Sequence, residues 1–186
     1  MNRSVPRPFL PLIAALLFAT AASLAPADEA KPAAAKSTIR INAGASADLK
    51  DAEGNLWLAD QGFVGGDVIE RDSDMKIANT TIPSIYHTEH YGMDSFSHKV
   101  ANGKYTVKLH FAETYEGVDG PGQRVFSFDV EGHEYKDFDV FVKAGGVQRA
   151  YVVTVEVEVT DGKLDITFKS NVENPEINGI EIIPAA

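Results

Sequence analysis

Hydrophobic side chains recur at every second position over long stretches of this chain. Three stretches show the pattern: Tyr105, Val107, Leu109 and Phe111; Phe126, Phe128 and Val130; and Tyr151, Val153, Val155, Val157 and Val159. The residues between them are mostly polar. A period of two is typical of a β-strand with one buried face, whereas a helix repeats every 3.6 residues. We therefore predict antiparallel strands that each turn one face toward a core.

Pairs of residues that tolerate a positive φ separate these strands. They are Asn102-Gly103, Glu131-Gly132 and Asp161-Gly162. Because Asp161-Gly162 directly joins two alternating runs, we predict a β-hairpin from about Val152 to Lys169. Many short strands without a sustained helical stripe indicate an all-β fold, an antiparallel β-sandwich or jelly roll with a single core.

The first 27 residues have the layout of a secretory signal peptide. Arg3 and Arg7 precede an almost wholly apolar run from Phe9 to Leu24, and small residues follow it up to Ala27. A membrane anchor is the alternative, but this run is short for a helix that spans a bilayer. We predict cleavage near Ala27 and a protein that is secreted, periplasmic or held at the cell surface.

The mature chain is predicted to be one acidic domain behind a short linker. Residues 28–37 are small, charged and proline-bearing, as in a flexible tether, and residues 38–186 form the domain. Cleavage leaves 186 − 27 = 159 residues and, with two arginines removed, a net charge of −10 − 2 = −12. Such a charge disfavours nucleic acid and anionic membrane surfaces as partners.

The absence of cysteine adds a further constraint. With no cysteines the exported domain has no disulfides, so its stability depends on its own core. This composition suits a bacterial periplasm or cell surface better than a disulfide-rich extracellular scaffold.

Two tyrosine-bearing segments stand out from the strand pattern. One runs from Ile85 to Gly92 and contains Tyr86 and Tyr91, and the other runs from His110 to Glu116 and contains Tyr115. The second segment enters a long loop that is rich in glycine, and such loops often carry binding residues. Aromatic rings offer apolar faces to the C–H groups of sugars, while carboxylates and amides accept hydrogen bonds from sugar hydroxyls. Tyrosines beside acids therefore favour carbohydrate binding.

The order and spacing of several segments resemble those of the malectin domain family, a family of β-sandwiches that bind carbohydrate. These segments are Arg40 to Gly44, Trp57 to Asp60, Ile85 to Tyr91, Tyr105 to Tyr115, Arg124 to Val130 and Glu173 to Ile180. The resemblance implies that four residues contact sugar: Tyr91, Tyr115, Glu116 and Glu173. We expect Tyr86 and Asn174 to shape or support the site.

Two departures from the family pattern bear on sugar specificity. Glu116 stands where animal malectin, which recognises a glucose-capped disaccharide end of an N-glycan, has an aromatic residue. The segment from Gly62 to Ile69 also lacks the tyrosine found in that protein, and Phe63 is a candidate substitute. The resemblance therefore implies the fold more strongly than the sugar.

The prediction is a non-catalytic domain that binds a neutral, glucose-containing oligosaccharide or polysaccharide through loop tyrosines and carboxylates, with no cofactor. A glycoside hydrolase is one alternative, because two nearby carboxylates suffice for that chemistry and Glu113, Glu116 and Glu173 are candidates. A protein-binding or structural module of the cell envelope is another. We predict no metal site, since the histidines of His87-Thr-Glu-His90 would face opposite sides of a strand and Asp72-Ser-Asp74 lacks the further ligands of a calcium loop.

Overall fold

The computed structural model describes residues 1–2 and 37–185. Almost all of the predicted signal peptide and of the predicted linker lies outside these residues. The elements of secondary structure among the described residues belong to one compact unit, Ala35–Ala186. Within the described part of the chain, no helix is both long enough and apolar enough to cross a membrane.

Two antiparallel sheets form the body of this unit. The smaller has the order β1-β12-β6-β9, with β1 (Ile39–Asn42), β12 (Gly179–Pro184), β6 (Gly103–Phe111) and β9 (Tyr151–Val159). The larger has the order β11-β5-β10-β7-β8, with β11 (Glu176–Ile177), β5 (Thr88–Lys99), β10 (Lys163–Val172), β7 (Val125–Val130) and β8 (His133–Phe138). Strand β4 (Phe63–Glu70) pairs with β5 and completes its six strands.

Smaller elements connect these strands. A two-stranded sheet contains β2 (Leu49–Lys50) and β3 (Leu56–Trp57), a 3-10 helix spans Pro83–Tyr86, and α1 spans Val140–Ala144. Asp139 caps α1, since its carboxylate accepts a hydrogen bond from the Val142 N–H at 3.0 Å.

The core lies between the two sheets and follows the predicted alternation. Val107, Leu109 and Phe111 of β6 are fully buried, and they share one cluster with Phe126 of β7 and Ile166 of β10. Packing between two antiparallel sheets confirms the predicted β-sandwich.

The predicted hairpin from Val152 to Lys169 is wrong. Strand β9 pairs with β6 in the smaller sheet, whereas β10 pairs with β5 and β7 in the larger one. Asp161-Gly162 is therefore a turn that carries the chain from one sheet to the other, with Gly162 at φ 87°. Both strands bury alternate residues in the shared core, so their sequences resemble those of paired strands.

A tight hairpin does occur at Glu131-Gly132. The two residues connect β7 and β8, which pair directly, and their φ values are 49° and 83°. Positive φ at both central residues is the requirement of a type I′ turn, whose twist matches that of the flanking strands.

Candidate functional site

A cavity of about 240 Å³ opens where four chain segments converge. Its walls come from the end of β4, the start of β5, the loop between β6 and β7, and the loop between β10 and β11. The lining residues are Ile69, Arg71, Glu89, Tyr91, Tyr115, Arg124, Glu173 and Asn174.

Strand β5 supplies one wall of the cavity, because alternate side chains of a strand project to the same face. Glu89 and Tyr91 lie two residues apart and so project to the same face. Glu89 pairs with Ile69 of β4, and Tyr91 pairs with Glu176 of β11. Because residues directly opposite in an antiparallel pair share a face, the pairing brings all four side chains to one side of the sheet.

Gly66 lets β4 approach β5 closely enough to complete this wall. It has a φ of 80°, and a Cβ atom at this position would lie 2.4 Å from the Tyr91 carbonyl oxygen. The segment from Gly62 to Ile69 therefore contributes Ile69 to the cavity. Phe63 is not among the lining residues, since its ring stacks on the imidazole of His90 with 4.3 Å between centroids.

A buried ion pair joins two walls of the cavity. Nε of Arg124 donates to Oε2 of Glu113 at 2.7 Å, and both residues are buried. The second oxygen of Glu113 accepts from the Tyr115 N–H at 2.9 Å. Arg124 also donates through Nη1 to the carbonyl of Asn174 at 2.7 Å. The pair thus holds the backbone of Tyr115 and that of Asn174 at a fixed separation.

A second polar group ties β5 to the loop that follows β6. Arg71 Nε donates to Thr114 Oγ1 at 3.1 Å, and Thr114 Oγ1 donates to Glu89 Oε2 at 2.9 Å. The same carboxylate oxygen lies 3.4 Å from Nη2 of Arg71. These bonds fix Arg71 and Glu89 at the cavity wall.

Glu176 is an additional carboxyl group beside this network. It is 0% exposed, and within the described structure neither of its oxygens has a hydrogen-bond partner. Burial raises the pKa of Glu176 well above its usual value, and the nearby carboxylates of Glu89 and Glu113 raise it further against the opposing effect of Arg124 and Arg71. We assign Glu176 as the neutral acid, because a buried carboxylate without donors is strongly disfavoured.

Burial also raises the pKa of Glu113, but Arg124 and the Tyr115 N–H oppose that shift. Glu113 lies beside the guanidinium of Arg124, and Glu89 lies beside that of Arg71, whereas Glu176 has no such direct partner among the described residues.

The structure brings four of the six predicted site residues to this cavity: Tyr91, Tyr115, Glu173 and Asn174. Tyr115 is 47% exposed, while Glu173 and Asn174 are exposed loop residues. Glu116 does not line the cavity. It lies on a neighbouring one, also of about 240 Å³, to which Tyr115 contributes as well.

Tyr86 also lies away from the cavity. It is only 1% exposed and packs with Trp57 and Ile85 in a second hydrophobic cluster. Its hydroxyl lies 2.9 Å from Nδ1 of His110, and burial raises its pKa. The 3-10 helix before β5 turns Tyr86 inward, a feature that the tyrosine pattern alone does not reveal.

Sequence reasoning did not select Arg71, Glu89, Arg124 or Ile69 as site residues. Glu89 and Arg124 do stand inside the segments that carry the family resemblance. A charged residue next to the apolar positions of a strand was the signal that could have marked both as site residues. For Arg71 and Ile69 the sequence offers no comparable signal.

The histidines of the His87 to His90 segment have separate partners. His87 Nε2 lies 3.0 Å from the Met75 carbonyl oxygen, and His90 lies between Asp60 and the Gly65 carbonyl, each at 3.0 Å. Among residues 1–2 and 37–185, no group of three or more His, Cys, Asp or Glu side chains is arranged to hold a metal ion.

The fold and the cavity together define a β-sandwich domain with a small aromatic and carboxylate-lined site formed by loops and strand ends. Comparison with known families specifies this class further. Residues 37–180 match the malectin domain, and the chain belongs to the malectin domain family. Members of this family are carbohydrate-binding modules.

The chain spans less than half the length of three known proteins to which it is similar. A kinesin-like protein, KIN-14E of Oryza sativa subsp. japonica, is 33% identical over 155 residues, which cover 77% of this chain and 14% of that protein. A β-glucuronidase from Bacteroides uniformis matches in structure with a TM-score of 0.71 and 19% identity, over 80% of this chain and 18% of that one. The ANX1 ectodomain from Arabidopsis thaliana has a TM-score of 0.67 and 16% identity, over 78% of this chain and 47% of its own.

Proposed function

We propose that this domain binds a neutral, glucose-containing oligosaccharide or polysaccharide without transforming it. The observation that carries the proposal is the pair of tyrosines, Tyr91 and Tyr115, on one cavity with carboxylate and amide groups beside them. Its volume, about 240 Å³, lies below the range typical of drug-sized ligands and suits one sugar ring. Membership of the malectin family supports carbohydrate as the ligand class.

Each group has a distinct part in this proposal. The rings of Tyr91 and Tyr115 stack on the C–H face of the sugar, and Glu173 and Asn174 form hydrogen bonds with its hydroxyls. The ion pair of Arg124 and Glu113 has a positioning part in this scheme, because it keeps the backbone of Tyr115 and that of Asn174 at a fixed separation. Glu116, on the neighbouring cavity, accepts hydrogen bonds from a second sugar unit.

The carboxyl groups nearest the cavity favour binding over hydrolysis. Glu113 accepts a hydrogen bond from Arg124, and Glu89 accepts hydrogen bonds from Arg71 and Thr114. Glu173 is exposed. A glycosidase needs a pair of acids with separate proton-transfer roles on either side of the scissile bond. Incubation with glucans should therefore release no new reducing ends.

Titration calorimetry with glucose-containing oligosaccharides tests the binding proposal. Tyr91→Ala and Tyr115→Ala are expected to abolish binding and to leave the melting temperature within a few degrees, as expected for side chains that contact ligand from the surface. Glu173→Gln should weaken binding, whereas Glu134→Gln, an exposed glutamate on β8, should not. Binding should hardly change with salt, because the ligand carries no charge. A wild-type protein that binds no such sugar would refute the proposal.

We further propose that the domain works outside the cytoplasm, after cleavage near Ala27. The similarity to the ANX1 ectodomain supports this location. Sequencing the N-terminus of the protein purified from its native source tests it, since an N-terminus at Met1 would contradict export with cleavage.

A further inference from the structure

The aromatic ring of Tyr115 rests directly on the backbone of Gly117. A Cβ atom at Gly117 would lie 2.4 Å from Cε1 of this ring, 2.6 Å from Cζ and 2.9 Å from the hydroxyl oxygen. These distances leave no space for any side chain. The ring can therefore keep its direction only while residue 117 is glycine.

The turn that contains Gly117 does not itself require glycine. The Val118 N–H donates to the Tyr115 carbonyl at 3.0 Å, which closes a four-residue turn from Tyr115 to Val118. Gly117 is not among the glycines with positive φ, so its backbone is open to other residues. The contact with the tyrosine ring is thus the reason for glycine here.

We propose that Gly117 is a positioning residue of the sugar site, because it sets the direction in which the Tyr115 ring is presented. This inference rests on the proposed function. The backbone of Tyr115 is already held through its N–H by Glu113, so the ring direction is the remaining variable. Since Tyr115 lines both cavities, a change in that direction alters both.

The ring can respond to a larger residue without unfolding the domain. Tyr115 is 47% exposed, and it can rotate about its side-chain torsions into solvent. A methyl group at Gly66 would instead meet the backbone of Tyr91, which cannot move in this way. Gly117→Ala is therefore expected to keep the fold and to weaken sugar binding, because the Tyr115 ring turns away from its position in the cavity.

The test compares Gly117→Ala with Gly120→Ala, a matched change in the same loop. A Cβ atom at Gly120 would meet only the end of the Gln123 side chain, at 3.3 Å. By calorimetry with a glucose-containing oligosaccharide, Gly117→Ala should bind at least about tenfold more weakly than wild type, and Gly120→Ala within about twofold. Both should melt within a few degrees of wild type.

A double variant separates positioning from a general effect on the loop. In a Tyr115→Leu background, which keeps an apolar side chain on the sugar but has no aromatic ring, adding Gly117→Ala should cause no further weakening, because the ring that Gly117 positions is already gone. Additive weakening would overturn the inference, and so would a Gly117→Ala protein that binds like wild type.

Nuclear Overhauser contacts report ring direction without any sugar. The wild type and Gly120→Ala should show a contact between the Tyr115 ε protons and the Gly117 α protons, whereas Gly117→Ala should lose the contact to residue 117. If the wild type binds no sugar, the proposed function fails, and this measurement alone decides whether Gly117 sets the ring. A wild type without the contact would overturn the inference.

Discussion

Arg124 donates from Nε to Oε2 of Glu113 at 2.7 Å, and both partners are almost completely shielded from water. A buried ion pair of this kind is not in itself a large source of stability, because both charges lose their hydration. Its importance lies in what it joins, since the same two side chains hold the Tyr115 N–H and the Asn174 carbonyl.

Arg124→Ala is expected to lower the free energy of unfolding by about 3–5 kcal/mol, because it leaves the Glu113 carboxylate buried without its partner. Urea denaturation measures this change. Lys136→Ala, at an exposed pair with Glu134, should alter stability by no more than about 1 kcal/mol. Glu113→Ala with Arg124→Ala should cost less than the sum of the single changes, and full additivity would argue against coupling.

Glu176→Gln is expected to change how stability depends on pH. The folded state raises the pKa of Glu176, so it keeps the proton at pH values where the unfolded chain releases it. Wild-type stability should therefore fall relative to Glu176→Gln as pH rises above about 4.3, by up to about 1.4 kcal/mol per pH unit. The difference should level off above the folded-state pKa.

Urea denaturation across the acidic and neutral range measures the effect of Glu176. Glu158→Gln, on the exposed face of β9, is the matched control and should follow the wild-type curve. If wild type and Glu176→Gln keep a constant difference over this range, Glu176 does not hold its proton in the folded state.

His90→Gln is expected to remove a stabilising effect that is present at low pH. Burial lowers the pKa of His90, but hydrogen bonds to Asp60 and to the Gly65 carbonyl outweigh it, so the net pKa is raised. The stabilisation is complete below the unfolded pKa of about 6.5 and is lost as pH rises through the folded-state value. Wild type and His90→Gln should therefore differ most at acidic pH.

His98, on the same strand, provides a control of opposite sign. Burial lowers the pKa of His98, so its contribution is present above the unfolded pKa and is lost as pH falls through the folded-state value. His98→Gln should thus be more stable than wild type at acidic pH, and the difference should shrink as pH rises. Urea denaturation and the NMR titration of each imidazole measure both trends, and equal trends would contradict the assignment.

Tyr86→Phe is expected to reduce stability and to leave sugar binding unchanged. The substitution removes the hydroxyl that lies 2.9 Å from His110 Nδ1 in a buried setting, at a cost of about 1–3 kcal/mol. Thermal unfolding and sugar titration measure the two effects. Tyr115→Ala should instead weaken sugar binding and leave stability nearly unchanged. Weaker sugar binding by Tyr86→Phe would show that Tyr86 does support the site.

The alternation of residues predicted which strand faces are buried but not which strands pair. Tyr105 to Phe111 and Tyr151 to Val159 reveal a buried face because burial selects every second side chain. Pairing depends on contacts between distant segments, so the sequence around Asp161-Gly162 cannot distinguish a hairpin from a connection between sheets. The same limitation applies to Tyr86, whose exposure is decided by the 3-10 helix that precedes β5.

The exposed parts of the candidate site were more accessible to sequence reasoning than its buried base. Tyr115 and Glu173 stand in loops whose composition marks them as loops. Arg124 is eleven residues from Glu113 and fifty from Asn174, and no local pattern relates the three. Their relation exists only once the two sheets have packed.

The position of β12 has a consequence for how the domain is made. This strand, Gly179–Pro184, lies between β1 and β6, and among the described strands β1 forms a ladder only with β12. A nascent chain that still lacks β12 cannot complete the smaller sheet, however long the ribosome pauses. Of the described strands, β1 is synthesised first and can pair only after β12, which is synthesised last, so folding of the smaller sheet has to follow translation of β12.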